Sequence, residues 1–113
     1  MTASLHALCL ACGVTLSSAA QIALATDSIS KSLEAKVAKR GQISGAANIC
    51  GLDWKGRNFL PMMSDLRASG LDERQTAIVA ALHGAAMRQS ELSTRECDES
   101  RRLRIEREID YRR

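Results

Sequence analysis

Residues 71–89 read LDERQTAIVAALHGAAMRQ, and the helix written there points to an all-helical chain. Asp72 stands where a helix N-cap belongs, Gln75 follows three positions later as a capping box requires, and Glu73 places negative charge at the positive end of the helix dipole. Ile78, Ala81, Leu82 and Ala85 then make an apolar stripe at helical spacing, widened by Val79 and Ala86. Alanines in that number let a second helix approach closely. His83 lies beside the stripe and reads as a packing residue, partly buried, not as a base or a ligand.

Upstream, Gly70 sits in the position of a helix terminator. It closes a second helix with Asn58 as cap, Pro61 tolerated in the first turn, and Phe59, Met62, Met63 and Leu66 on one face. Before it, Gly51, Asp53 and Gly56 supply turn chemistry around Trp54, the one tryptophan. In a chain with one Trp, one Tyr and one Phe, Trp54 is either a lid on a small core or an exposed anchor for a partner. Residues 27–50 carry Ile29, Leu33 and Val37 at four-residue steps, which gives a first helix that breaks or kinks near Gly41. Gly41 and Gly45 read as a glycine-rich turn between two short helices, with close helix packing through the pair as the alternative.

Downstream, residues 98–113 interleave Arg101, Arg102, Arg104 and Arg107 with Glu99, Glu106, Glu108 and Asp110, around Leu103, Ile105 and Ile109. Opposite charges four apart, such as Arg102 with Glu106, meet across a helical turn, so a solvated last helix is expected. A patch for nucleic acid or anionic lipid would hold arginines on one face without interleaved acids. Gly84 with Arg88, Gln89 and Ser90 invites a helix-turn-helix reading. That register puts His83, Ser90 and Ser93 at positions that must be apolar, and the reading fails. A small DNA-binding helical protein remains an alternative only if the amino terminus is not an export signal.

The amino terminus is a separate compositional unit, because every formally charged side chain lies from Asp27 onward. A short run of apolar and small residues from Leu8 to Leu16, then Ser17, Ser18, Ala19 and Ala20, then the small-x-small Ala23-Leu24-Ala25, reads as a signal peptide over residues 1–25. Residues 26–113 are then a single helical domain, periplasmic or secreted, with no stable membrane insertion after cleavage. Of the four cysteines, Cys9 and Cys12 leave with the signal. Cys50 and Cys97 remain, and an even pair in an exported chain reads as a disulfide. His6, Cys9 and Cys12 have zinc-like spacing but no second ligand pair downstream, so neither a metal site nor a cofactor is expected.

The fold class expected is all-α, a bundle of three to four helices in which Cys50, ending the first helix, is tied to Cys97 at the start of the last. That layout resembles the periplasmic acid-stress chaperones of the HdeA type, which share a signal peptide, helices only, and one long-range disulfide. The resemblance matches Cys50 and Cys97 to that family's paired cysteines. The neighbouring residues, 49–54 and 96–98, do not follow the family's local pattern. It implies a chaperone that opens in acid. The residues themselves favour a non-enzymatic interaction or accessory protein, with Trp54, Phe59, Met62 and Met63 as the region that touches an unknown protein partner. No order of Ser, His and Asp and no phosphate-binding glycine loop assigns a catalytic residue.

Overall fold

The computed structural model describes residues 28–112, which form four α-helices and, among those residues, no strand. Helix α1 spans Lys31–Ile49 and α2 spans Leu60–Ala68, entered through a π-helical turn over Lys55–Phe59. Helix α3 spans Glu73–Ser93 and α4 spans Glu99–Glu108. The all-α bundle expected from the sequence is what forms.

Each boundary has a local cause. Ser30 caps α1, its Oγ accepting from the Leu33 N–H at 3.1 Å. At the other end Gly51 takes φ +70°, and the Gly51 and Leu52 amides donate back to the Asn48 and Ala47 carbonyls. Gly70, at φ +106°, ends α2 by the same Schellman arrangement, with Gly70 and Leu71 bonded to Arg67 and Leu66. The capping box at Asp72 and Gln75 is formed as the spacing predicts, with reciprocal bonds of 2.8 and 3.0 Å. Asp98 caps α4 through the Arg101 N–H at 2.8 Å.

Three sequence expectations are corrected. Helix α1 does not break at Gly41, because Gly41 and Gly45 are the face on which α1 and α3 meet. A Cβ at Gly41 would lie 2.6 Å from the His83 carbonyl oxygen, and one at Gly45 would run into the Met87 carbonyl oxygen. Backbone approach, not a turn, is why glycine stands at both positions. Second, Asn58 is not a cap. Asp53 closes the entry turn instead, accepting from the Gly56 N–H at 2.9 Å, and Asn58 lies inside the π turn, fully buried. Third, the buried face of α3 is rotated from the alanine stripe. Ile78 and Val79 of the expected stripe are buried together with Thr76, His83 and Met87, while Ala81 and Ala85 are exposed. Helix α3 also continues through Gly84 to Ser93, so the turn of a helix-turn-helix is not there.

The π turn has a consequence for the carboxyl terminus. Pro61 has no N–H to give the carbonyl four residues before it, that of Arg57. The Tyr111 N–H takes that acceptor instead, at 3.0 Å, and so seats the chain beyond α4.

Two apolar clusters share α1. Val37, Met62, Met63, Leu66 and Val79 make one; Ile43, Ala47, Leu52, Ile105 and Ile109 make the other. Cys50 at the end of α1 and Cys97 just before α4 are disulfide-bonded, with Cα atoms 5.2 Å apart. This ties α4, which packs on α1, to the bundle at its first turn.

Candidate functional site

Between the two clusters, α1 presents Arg40 and Ser44, and the π turn brings Asn58 against both. The Asn58 amide nitrogen donates to the Arg40 carbonyl and to Ser44 Oγ, each at 2.8 Å, and its oxygen accepts from Arg40 Nε at 2.6 Å. Those partners fix the amide's orientation, since a guanidinium only donates and a carbonyl only accepts. Ser44 Oγ, which accepts from Asn58, also shares a hydrogen bond with His83 Nε2, 2.9 Å away on α3, and the imidazole tautomer sets which of the two donates.

Ser44 and Asn58 are 0% and His83 is 1% exposed. Burial, reinforced by the nearby Arg40 charge, pushes the His83 imidazole down from its ordinary 6.5 to about 4. The ring is enclosed by Phe59, with centroids 4.7 Å apart, and by Trp54, stacked at 6.0 Å. Every buried side-chain polar atom among the described residues has a hydrogen-bond partner.

The chain of bonds continues outward through Arg40. Its Nη1 and Nη2 donate to the Glu108 and Ile109 carbonyls at 3.1 and 2.7 Å. These are carbonyls that the end of α4 leaves without helical partners, and a cation there also complements the helix dipole. Beside it, Arg57 grips Asp110 with two bonds, 2.7 and 3.0 Å, and Glu106 with a third at 3.0 Å. Both carboxylates raise the Arg57 pKa further. Tyr111 completes the seat: its hydroxyl donates to Asp65 at 2.8 Å, and Lys36 and Arg40 lie 5.2 and 5.5 Å from its ring centre.

Chemically, a serine hydroxyl 2.9 Å from an imidazole nitrogen is the contact that activates a nucleophile. Here both atoms are closed to solvent, and the pair fastens α1 to α3. Among the described residues no group of three His, Cys, Asp or Glu side chains could hold a metal ion, and no helix is long and apolar enough to cross a membrane. His6, Cys9 and Cys12 lie outside the described residues.

The four residues expected to meet a partner do not form one surface. Met62 and Met63 are buried in the first cluster beneath Phe59, and Trp54 and Phe59 are half-buried against His83. Trp54 thus serves as a lid in this state. Arg40, Ser44 and Asn58 were not recognisable from the sequence. A serine in a glycine-rich stretch and an asparagine beside turn residues look like surface punctuation, and only the α1 to π-turn contact makes them a network. No protein-family model matches this sequence, and no curated protein or solved structure shows a significant match to it.

Proposed function

We propose that this chain is a small exported helical protein, stabilised by the Cys50 to Cys97 bond, that acts on a protein partner by interaction and not by catalysis. The observation that carries this reading is the use made of its polar side chains. The groups with chemical potential, Ser44, His83, Asn58 and Arg40, are all spent holding α1, the π turn, α3 and α4 to one another. The disulfide fits an oxidising compartment, the periplasm or the outside of the cell. The interleaved acids of α4 argue against nucleic acid as the partner.

Intact mass of protein recovered from the periplasm of an expressing bacterium, with and without reductant and alkylation, tests the reading. A species beginning at Thr26 and two hydrogens lighter than its reduced form is the expected result. A full-length cytosolic species with four alkylatable thiols would overturn it.

A second reading, a chaperone that opens in acid as the HdeA resemblance implies, is favoured by His83. A neutral imidazole enclosed by Phe59 and Trp54 must take up a proton in acid, and the apolar surface that loosening would release includes Met62 and Met63. Loss of near-UV dichroism, with gain of dye binding and of holdase activity at pH 2 to 3, is the expected result. A folded monomer with unchanged dichroism at that pH eliminates this reading.

A further inference from the structure

Helix α4 has ten residues, fewer than a helix needs to persist alone in water. Of its side chains Ile105 is buried, joined by Ile109 at its end, while Arg102, Leu103, Arg104, Arg107 and Glu108 are exposed. What holds it belongs to the rest of the fold and reads general features. Ile43, Ala47 and Leu52 receive two aliphatic side chains four residues apart. Arg57 receives a carboxylate one residue after each, and Arg40 receives the last two carbonyls of a helix. Any amphipathic helix with an acidic flank next to its apolar stripe supplies those features.

We infer that α4 is a displaceable latch, and that the groove beneath it, walled by Ile43, Ala47 and Leu52 and flanked by Arg40 and Arg57, is the docking site for an amphipathic helix of a protein partner that carries carboxylates along one flank of its apolar stripe. This rests on the interaction reading above and names its partner class. Charge complementarity selects the occupant, because removing α4 uncovers an apolar strip beside two guanidinium groups. Cys97 is pinned to Cys50, so the pivot is the non-helical Asp98 that follows it. That short tether holds a displaced latch close, so the partner competes against a high local concentration of α4.

The probe is a fluorescently labelled peptide with the sequence of residues 98–112, titrated by anisotropy against oxidised full-length protein. Unlatching by Ile105→Asp with Ile109→Asp should give saturable binding at least tenfold tighter than to the wild type. Adding Arg57→Glu should weaken it about tenfold or more, as expected for loss of a bidentate charged bond. A peptide carrying Glu106→Lys and Asp110→Lys should recover that loss. Equal binding by latched and unlatched protein, no binding to a folded unlatched variant, or binding indifferent to Arg57 would each overturn the inference. So would a concentration-dependent dimer of the wild type formed through this groove, which would make the occupant a second copy. If the unlatched variant does not fold, hydrogen exchange on oxidised wild type decides. Amides of α4 should exchange at least a hundredfold faster than those of α1 and α3, and equal protection across the three helices would overturn the latch. The exchange experiment reports on the latch whether or not the chain is exported, so its failure is separable from failure of the mass measurement.

Discussion

Replacing His83 by glutamine should invert the stability order of variant and wild type between neutral and acid pH. In the wild type the imidazole titrates at about 4 in the fold and near 6.5 in the unfolded chain. The unfolded state therefore binds the proton first as pH falls. Stability due to neutral His83 is complete above pH 6.5, declines between 6.5 and 4, and is gone below 4. At 1.36 kcal/mol per decade of proton affinity the loss is about 3 kcal/mol, a large part of the ~5–10 kcal/mol that a domain of this size has. Glutamine places its amide near the position of Nε2, where its oxygen or nitrogen can keep the bond to Ser44, but it loses the ring contacts with Phe59 and Trp54. That costs about 1–2 kcal/mol at every pH. Carboxylates titrate in both proteins and cancel in the difference. Urea unfolding followed by Trp54 fluorescence at pH 7.5, 5.5, 4.5 and 3.5 should find the variant weaker at 7.5 and stronger at 3.5. A difference that stays within about 0.5 kcal/mol across that range would refute the reasoning, since it would mean that His83 accepts a proton without penalty.

Four further outcomes follow from the contacts. Gly45→Ala should destabilise by more than about 2 kcal/mol in thermal or urea melts, because its Cβ meets the Met87 carbonyl and lies 2.7 Å from Ser90 Cβ. Gly84→Ala, in the same pair of helices but facing open space, should stabilise by about 0.5–1 kcal/mol. Replacing Cys50 and Cys97 together by serine should lower the urea midpoint by the equivalent of about 4 kcal/mol while far-UV dichroism stays helical, since the bond closes a separation of 47 residues. Arg57→Met should cost about 1 kcal/mol, reduced from the value of a buried pair because its partners are about a third exposed. The same change should speed hydrogen exchange in α4 and make the protein's stability less sensitive to salt.

How far the chain can be read without its structure depends on whether a feature is local. Asp72 with Gln75, and Gly70, act within one turn of helix and the structure keeps both, while the step from Leu33 to Val37 lies in α1 and Ile29, expected in the same helix, precedes its Ser30 cap. Gly41 and Gly45 have two readings that cost a helix the same, a break or a close contact. The choice falls to the second because α3 supplies carbonyls for the glycine face to lie against. The far half of the α3 stripe turns outward for a related reason. Counting aliphatics picks out Ala81 and Ala85 along with the buried Ile78, whereas a polar but satisfiable residue, His83, takes the centre of the buried side once Ser44 is there to bond it.

Residues taken one after another show that the chain is helical, that one helix ends at Gly70, another begins at Asp72 and the last begins near Asp98, though it stops at Glu108 and does not run on to the carboxyl terminus, and that Cys50 and Cys97 are placed to staple the last helix to the first. Those are matters of propensity, capping and one covalent bond. Only the packing of the helices brings Ser44, Asn58, Arg40 and His83 into one hydrogen-bond chain, puts Met62 and Met63 inside, and holds α4 by Arg57 and Arg40. A hydrogen bond between residues 18 or 39 positions apart leaves no periodic trace in a sequence. It exists only when two helices approach closely enough to exclude water from the donors and acceptors between them.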